Sequence, residues 1–391
     1  MLKFPALTTA ILLLALGSSA IAQTATVRSI SGSGKVVVQR ENRTDWLPVR
    51  QGTDLYQGDQ ILPDRKAKAY IRCPDQQEPV LARAGVPSGL GSICIRWPGR
   101  DARGSQATET IGGLDSTIPY LIAPRHTLLL SATPLLHWNS VAGASEYIIE
   151  VNSSTGLVWQ TKTKETHLVY AGKPLQPGTP YSVTIRTNTG KSSQDDRLPN
   201  QSKPATSLDF RILRQAETTS VRAEAGKLSA QTPTNVADAL ALAKFYGNYT
   251  VSEATASEYQ LPHQTFATYS LTSEAITVLE DLPQPDQQST KVQLALADLY
   301  WQIGLTRQSQ EHYLQAIALV QGLEDLEDWT RAQYGLGQLY AAIGDSGKAL
   351  PYYEQARAGY LFLGDTHLVE VLTRRIERLE KTTSNLLKQG G

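Results

Sequence analysis

Two hydrophobic rhythms divide the chain. Between Ala25 and Arg96, short runs alternate apolar and polar positions: Val36-Val37-Val38, Ala69-Tyr70-Ile71, Pro79-Val80-Leu81 and Ile93-Cys94-Ile95. Gly, Pro, Asp and Asn punctuate them, which predicts a small antiparallel β-module over 25–97. Strand-like alternation returns from about Ile122 to Leu213 and predicts a second β-module over 122–213. From Thr234 the spacing lengthens to three and four residues, with Gly at the ends of the periodic stretches, so 234–391 is predicted helical. The polar stretches 98–121 and 214–233 lack periodicity and are expected to be linkers. The predicted fold is multidomain, β then α.

Within the helical part, two segments superpose at a shift of 40 residues. Ala297 maps to Gly337, Tyr300 to Tyr340, Gly304 to Gly344, Ser309 to Ala349, Tyr313 to Tyr353 and Ala316 to Ala356. Small residues let paired helices approach, aromatics fill the space between them, and Gly turns the chain. This order of small and large positions resembles the tetratricopeptide repeat, a helical solenoid unit. The family's usual period is nearer 34, so residues 322–329 are expected to lengthen a helix or loop. A degraded earlier unit is expected over 236–282, with helices Val236–Tyr246 and Leu271–Leu282 and an insertion containing Pro262. Residues Thr366–Leu387 set Leu368, Leu372, Ile376 and Leu379 opposite Arg374, Arg375, Arg378 and Lys381. That stripe suits a capping helix, with homodimerisation as its alternative use. The resemblance implies a partner groove lined by Lys291, Leu294, Asp298, Trp301 and Gln302, followed by Arg331, Tyr334, Gln338, Ala341 and Ala342. Trp301 and Tyr334 would be its aromatic anchors, or else packing residues. The basic and Asn residues with which some such domains clamp a peptide carboxylate are replaced, Leu294 and Asp298 standing at key positions.

The first β-module resembles the FecR-like periplasmic domain in Gly34-Lys35-Val36-Val37-Val38, Trp46-Leu47-Pro48-Val49, Gly52, Leu55 and Gly58-Asp59. The second resembles a fibronectin type III β-sandwich. Its carriers are Pro134-Leu135-Leu136-His137-Trp138, Tyr147-Ile148-Ile149-Glu150-Val151 and the corner Leu175-Gln176-Pro177-Gly178-Thr179-Pro180-Tyr181. The resemblance gives Trp138 and Tyr181 core roles, with the tyrosine hydroxyl meeting a backbone partner.

Lys3, an apolar core at Ile11–Leu16 and the small-residue end Ala20-Ile21-Ala22 follow the order of a secretory signal over 1–22, cleaved before Gln23. An uncleaved anchor is the alternative, although the apolar run is shorter than the ~20 residues that span a bilayer. The chain is therefore expected in the periplasm or secreted. Export would let Cys73 and Cys94 form a disulfide, worth on the order of 3 kcal/mol.

The formal charge is zero but unevenly spread: 25 Lys and Arg against 18 Asp and Glu over 23–233, then 11 against 19 over 234–391. Candidate chemistry is scarce. Gly190-Lys191-Ser192 ends like a phosphate-binding loop, but Ile185 stands where its first Gly belongs. The six His are scattered without metal-ligand spacing. No enzyme motif, cofactor or metal site is predicted, and no nucleic-acid role. The expected function is a non-enzymatic scaffold binding a protein or peptide partner. The rival is binding of an envelope polymer through the basic β-half, Arg65, Lys66 and Lys68 included.

Overall fold

A computed structural model describes residues 25–40, 45–55, 59–73, 79–82, 84–85, 88–89, 93, 111–196, 209–228, 233, 235–254 and 266–389. The signal segment, Cys94 and Pro262 lie outside these. The chain divides into two compact units, Met1–Ile95 and Arg96–Gly391.

Among the described residues of the first unit the alternation folds into eight strands: β1 (Ala25–Gly32), β2 (Val36–Gln39), β3 (Trp46–Pro48), β4 (Asp54–Leu55), β5 (Gln60–Pro63), β6 (Ala67–Arg72), β7 (Val80–Ala82) and β8 (Ser88–Gly89). They form two four-stranded antiparallel sheets, β4-β1-β6-β7 and β3-β2-β5-β8. Period-2 patterning decides which side chains face inward. Ala67, Ala69 and Ile71 of β6 are buried with Val27, Val36, Val38, Leu55 and Ile61, while Lys68 and Arg72 point outward. Pro48 sits on the edge strand β3, where a missing N–H does no harm. Arg40 pairs with the buried carboxylate of Asp59. Cys73 is buried and is not a free thiol. Ile93 is buried as well.

The second unit opens with two sheets around one core. Its strands are β9 (Leu121–Ala123), β10 (Thr127–Leu129), β11 (Leu135–Trp138), β12 (Tyr147–Ser153), β13 (Gly156–Thr163), β14 (His167–Val169), β15 (Pro180–Thr187) and β16 (Phe210–Ile212). The orders are β10-β16-β15-β12-β13 and β14-β11-β9, antiparallel except for the parallel β10–β16 pair. Trp138 is fully buried among Leu136, Tyr147, Ile149, Val151, Tyr181 and Phe210. The Tyr181 hydroxyl accepts the N–H of Gln176 at 2.9 Å, which fixes the corner before β15. Both residues are spent on packing.

Helices follow: α1 (Gln215–Leu228), α2 (Val236–Asn248), α3 (Thr272–Glu280), the single turn α4 (Gln284–Gln287), α5 (Thr290–Gln302), α6 (Thr306–Ala318), α7 (Leu326–Ala342), α8 (Ser346–Phe362) and α9 (Thr366–Gln389). Strands β17 (Thr250–Ala254) and β18 (Phe266–Ser270) pair antiparallel between α2 and α3. The stretch read as a linker over 214–233 thus carries α1, whose Val221 packs with Leu128, Leu213, Tyr269 and Leu271. Three helices end alike. Gly304, Gly344 and Gly364 have φ of 74°, 84° and 75°. The following N–H returns to the carbonyl of Tyr300, Tyr340 or Tyr360 at 2.9 Å each. This is the Schellman closure, and its left-handed residue favours Gly.

The two sheets and the helices share one buried junction. Residues 111–120, predicted as linker, are folded into it. Gly112 accepts the Thr306 N–H (3.2 Å) and donates to the Gly304 carbonyl (2.9 Å), so it bonds the turn between α5 and α6 on both sides. Ile111 is buried in the same cluster as Trp301, Tyr313 and Tyr334. Arg125, fully buried, donates from Nε to the Ile303 carbonyl (2.9 Å) and pairs with Asp196 at 3.4 Å. Asp196 also accepts the Gly113 N–H at 2.7 Å. Thr127 Oγ1 donates to the Ser270 carbonyl, and Glu274 accepts the Leu130 N–H, both at 3.0 Å.

Candidate functional site

The repeat stacks α5 on α7, and α7 and α8 on α9, so the first helix of each pair presents a face to the next. Asp298 of α5 and Arg331 of α7 meet across that stack at 3.2 Å. The Tyr313 hydroxyl of α6 donates to Asp298 at 2.6 Å, and Arg331 reaches Asp328 at 3.7 Å. Burial pushes the Asp298 carboxyl up, and Arg331 and Tyr313 only partly offset it. Burial works against the Arg331 charge too, yet Asp298 and Asp328 hold its pKa above the ordinary value. The pair is a fixed, half-buried element of the face.

The remaining predicted residues separate into packing and exposed positions. Leu294, Trp301, Tyr334 and Gln338 are buried, with Trp301 at 5% and Tyr334 at 1% exposure. Tyr334 lies against Tyr353 and Tyr360, with the Arg375 guanidinium 5.7 Å from its ring. Gln302 donates to the Gly247 carbonyl (3.2 Å) and Ser270 Oγ (2.9 Å), tying α5 to α2 and to β18. Lys291 is exposed, and Ala341 and Ala342 are half-buried.

Lys244 and Arg375 also bear on this face, and neither was among the predicted residues. Lys244 is exposed, yet its pKa is lowered, first by partial desolvation and then by the nearby Arg331 charge. Arg375 of α9 donates to the Tyr353 hydroxyl at 3.3 Å. A signal for Lys244 does exist: Ala243-Lys244 with Tyr246 repeats the spacing of Ala297-Asp298 with Tyr300 and Gly337-Gln338 with Tyr340.

Among the described residues no group of three His, Cys, Asp or Glu could hold a metal ion. The Lys191 ammonium donates to the Thr117 carbonyl at 2.7 Å, and Ser192 caps a 3-10 turn, so both have structural bonds. Among the described residues no helix is long and apolar enough to cross a membrane.

Comparison with known proteins bears on the same helices. Residues 288–361 match the family model of the tetratricopeptide repeat. That stretch runs from the turn before α5 to the end of α8, and it holds all six equivalences at a shift of 40. The crystal structure of MamA is similar at 20% identity, covering 42% of this chain and 89% of that one, with a TM-score of 0.26. No curated protein matches significantly. Tetratricopeptide repeats indicate a protein–protein interaction scaffold, and the helical array is the part of this chain that carries them.

Proposed function

We propose that the protein is a non-enzymatic scaffold outside the cytoplasm, gripping a protein or peptide partner on the face shared by α2, α5, α7 and α9. The observation that carries this reading is the match of residues 288–361 to the tetratricopeptide repeat, the helices on which the Asp298–Arg331 pair is built. Exposed Lys244 and Lys291 would meet the partner first. Buried Trp301 and Tyr334 would shape the floor beneath it.

The envelope location rests on the signal-like residues 1–22, and a Cys73–Cys94 disulfide belongs to the same reading. The FecR-like and fibronectin type III resemblances supply β-modules of a kind that serves as spacer or binding module. The two-sheet arrangement and the Tyr181 corner support the second of these.

The test is affinity capture of the tagged mature chain from the envelope fraction, with Lys244→Glu and Lys291→Glu in parallel. Those positions are chosen because substituting buried Trp301 or Tyr334 would measure stability instead of binding. The scaffold reading expects a protein enriched by wild type and lost from the double variant. Equal recovery with both proteins would refute it, and a chain retained in the cytoplasm would refute the location.

A further inference from the structure

The described residues of the first unit include cations without an ion-pair partner among them. Among its described residues Arg40 pairs with Asp59, whereas Arg28, Arg65, Lys66, Lys68 and Arg72 have no carboxylate partner. Their placement follows from strand register. Ala67, Ala69 and Ile71 of β6 face the core, so Lys68, Tyr70 and Arg72 stand on the outer face. Across the ladder Lys68 pairs with Ser31, Tyr70 with Ser29, and Arg72 with Thr26 of β1. The register shift between Val27 and Ser29 makes Arg28 an extra, exposed residue on the same strand. Arg65 and Lys66 occupy the turn that leads into β6, and that turn is pinned. The Lys66 carbonyl accepts the Gly34 N–H at 3.2 Å, and its N–H reaches Asp64 at 3.2 Å. At about 3.3 Å per residue, the row from Lys66 to Arg72 is about 20 Å long. Two described acids border it: Asp64 at the turn, bonded to the Lys66 N–H, and Asp54 on edge strand β4, whose carboxylate accepts the Thr26 hydroxyl at 3.1 Å.

We propose that this outer face of β1 and β6 is a binding surface for an anionic polysaccharide, which lies along β6. Charge complementarity and shape single out that occupant. The cations form a line, as the charges of a polymer do, with Lys68 and Arg72 set in a sheet and Arg65 and Lys66 in a turn pinned to it. Between them stands half-buried Tyr70, with Thr26, Ser29 and Ser31 alongside on the paired strand, an aromatic and hydroxyl set suited to sugar rings and their hydroxyl groups. A bilayer surface would call for exposed large apolar side chains beside the cations. No residue of this face is among the exposed large hydrophobics. A single half-buried aromatic also cannot stack successive bases of a nucleic acid.

This surface is independent of the helical face, and its test uses the full chain. Binding to polygalacturonate is measured against salt for wild type, for Lys68→Gln/Arg72→Gln, and for the control Lys164→Gln/Lys173→Gln in the second unit. The expected result is a salt-sensitive association. The Lys68/Arg72 variant should lose about tenfold or more and flatten the logarithmic salt slope by about two, one for each cation removed. The control should bind as wild type does. All four positions are exposed, so folding is undisturbed. The proposal is overturned if wild type does not bind, or if the Lys68/Arg72 variant binds equally. It is also overturned if neutral dextran, single-stranded DNA, or vesicles of phosphatidylglycerol and phosphatidylcholine bind more tightly than polygalacturonate.

Discussion

Arg125 joins sheet to helix through contacts that no substitute can reproduce. Its guanidinium is fully buried and serves the Ile303 carbonyl and the Asp196 carboxylate together. Burial pulls the arginine down and pushes the aspartate up, so desolvation outweighs attraction on both sides of the pair. Such a pair adds little net stability, but breaking it strands a charge. Arg125→Ala is therefore expected to cost about 3–5 kcal/mol in urea unfolding. A loss below about 1 kcal/mol would show that Asp196 finds another partner. Gly337 makes the opposite demand, for space. A Cβ there would collide with the Tyr353 ring. Gly337→Leu should consequently lower the melting temperature by several degrees, an overpacking cost of about 1–3 kcal/mol. The small-residue role of Gly337 was legible, because the 40-residue shift sets it against Ala297. Arg125 and Asp196 lie 71 residues apart in sequence with no repeat or motif to link them, so the junction was not.

Among the elements, α9 follows its hydrophobic stripe most directly. Leu372 and Ile376 are buried in the core of the repeat, with Leu368 and Leu379 packed at its edge. The stripe thus packs against the last helices of the array. Leu372→Asp should expose Tyr334, Tyr353 and Tyr360 and raise dye binding to apolar surface well before global unfolding. Unchanged dye binding would mean that α9 is dispensable. The contact between α5 and α6 carries a pH dependence of its own. His312 stacks on Tyr300 at 5.3 Å and bonds Gln293 at 2.7 Å. Burial lowers its pKa to about 4, with Glu311 opposing. The folded imidazole therefore stays neutral while the unfolded one gains a proton below about 6.5. Its contribution is complete above that value and is lost as pH falls toward 4, by about 3 kcal/mol in all. Wild type should lose that much more than His312→Phe between pH 7 and 4 in urea midpoints. Parallel pH profiles would contradict it. The capped, repeated helices were readable because periodicity records which face is buried. Helix α1 was not, since its polar sequence has little apolar stripe and is held by the neighbours of Val221.

At the scale of the molecule, the sheets and helices of the second unit behave as one body instead of beads on linkers. The backbone bonds of Gly112, the Arg125–Asp196 pair and the Thr127–Ser270 bond all cross the boundary. Amides of β12 and α5 are accordingly expected to lose hydrogen-exchange protection at the same denaturant concentration. Sheet protection that outlasts helix protection would separate the two. The proposed partner face is the one that bears Lys244, Lys291 and the Asp298–Arg331 pair. The most direct test places a photoreactive residue at 291 on that face and, separately, at 314 on the exposed side of α6, each in the full chain in its native compartment. The scaffold account predicts a protein adduct at 291 that is absent at 314. Adducts at 314 alone, or at neither position, would contradict it.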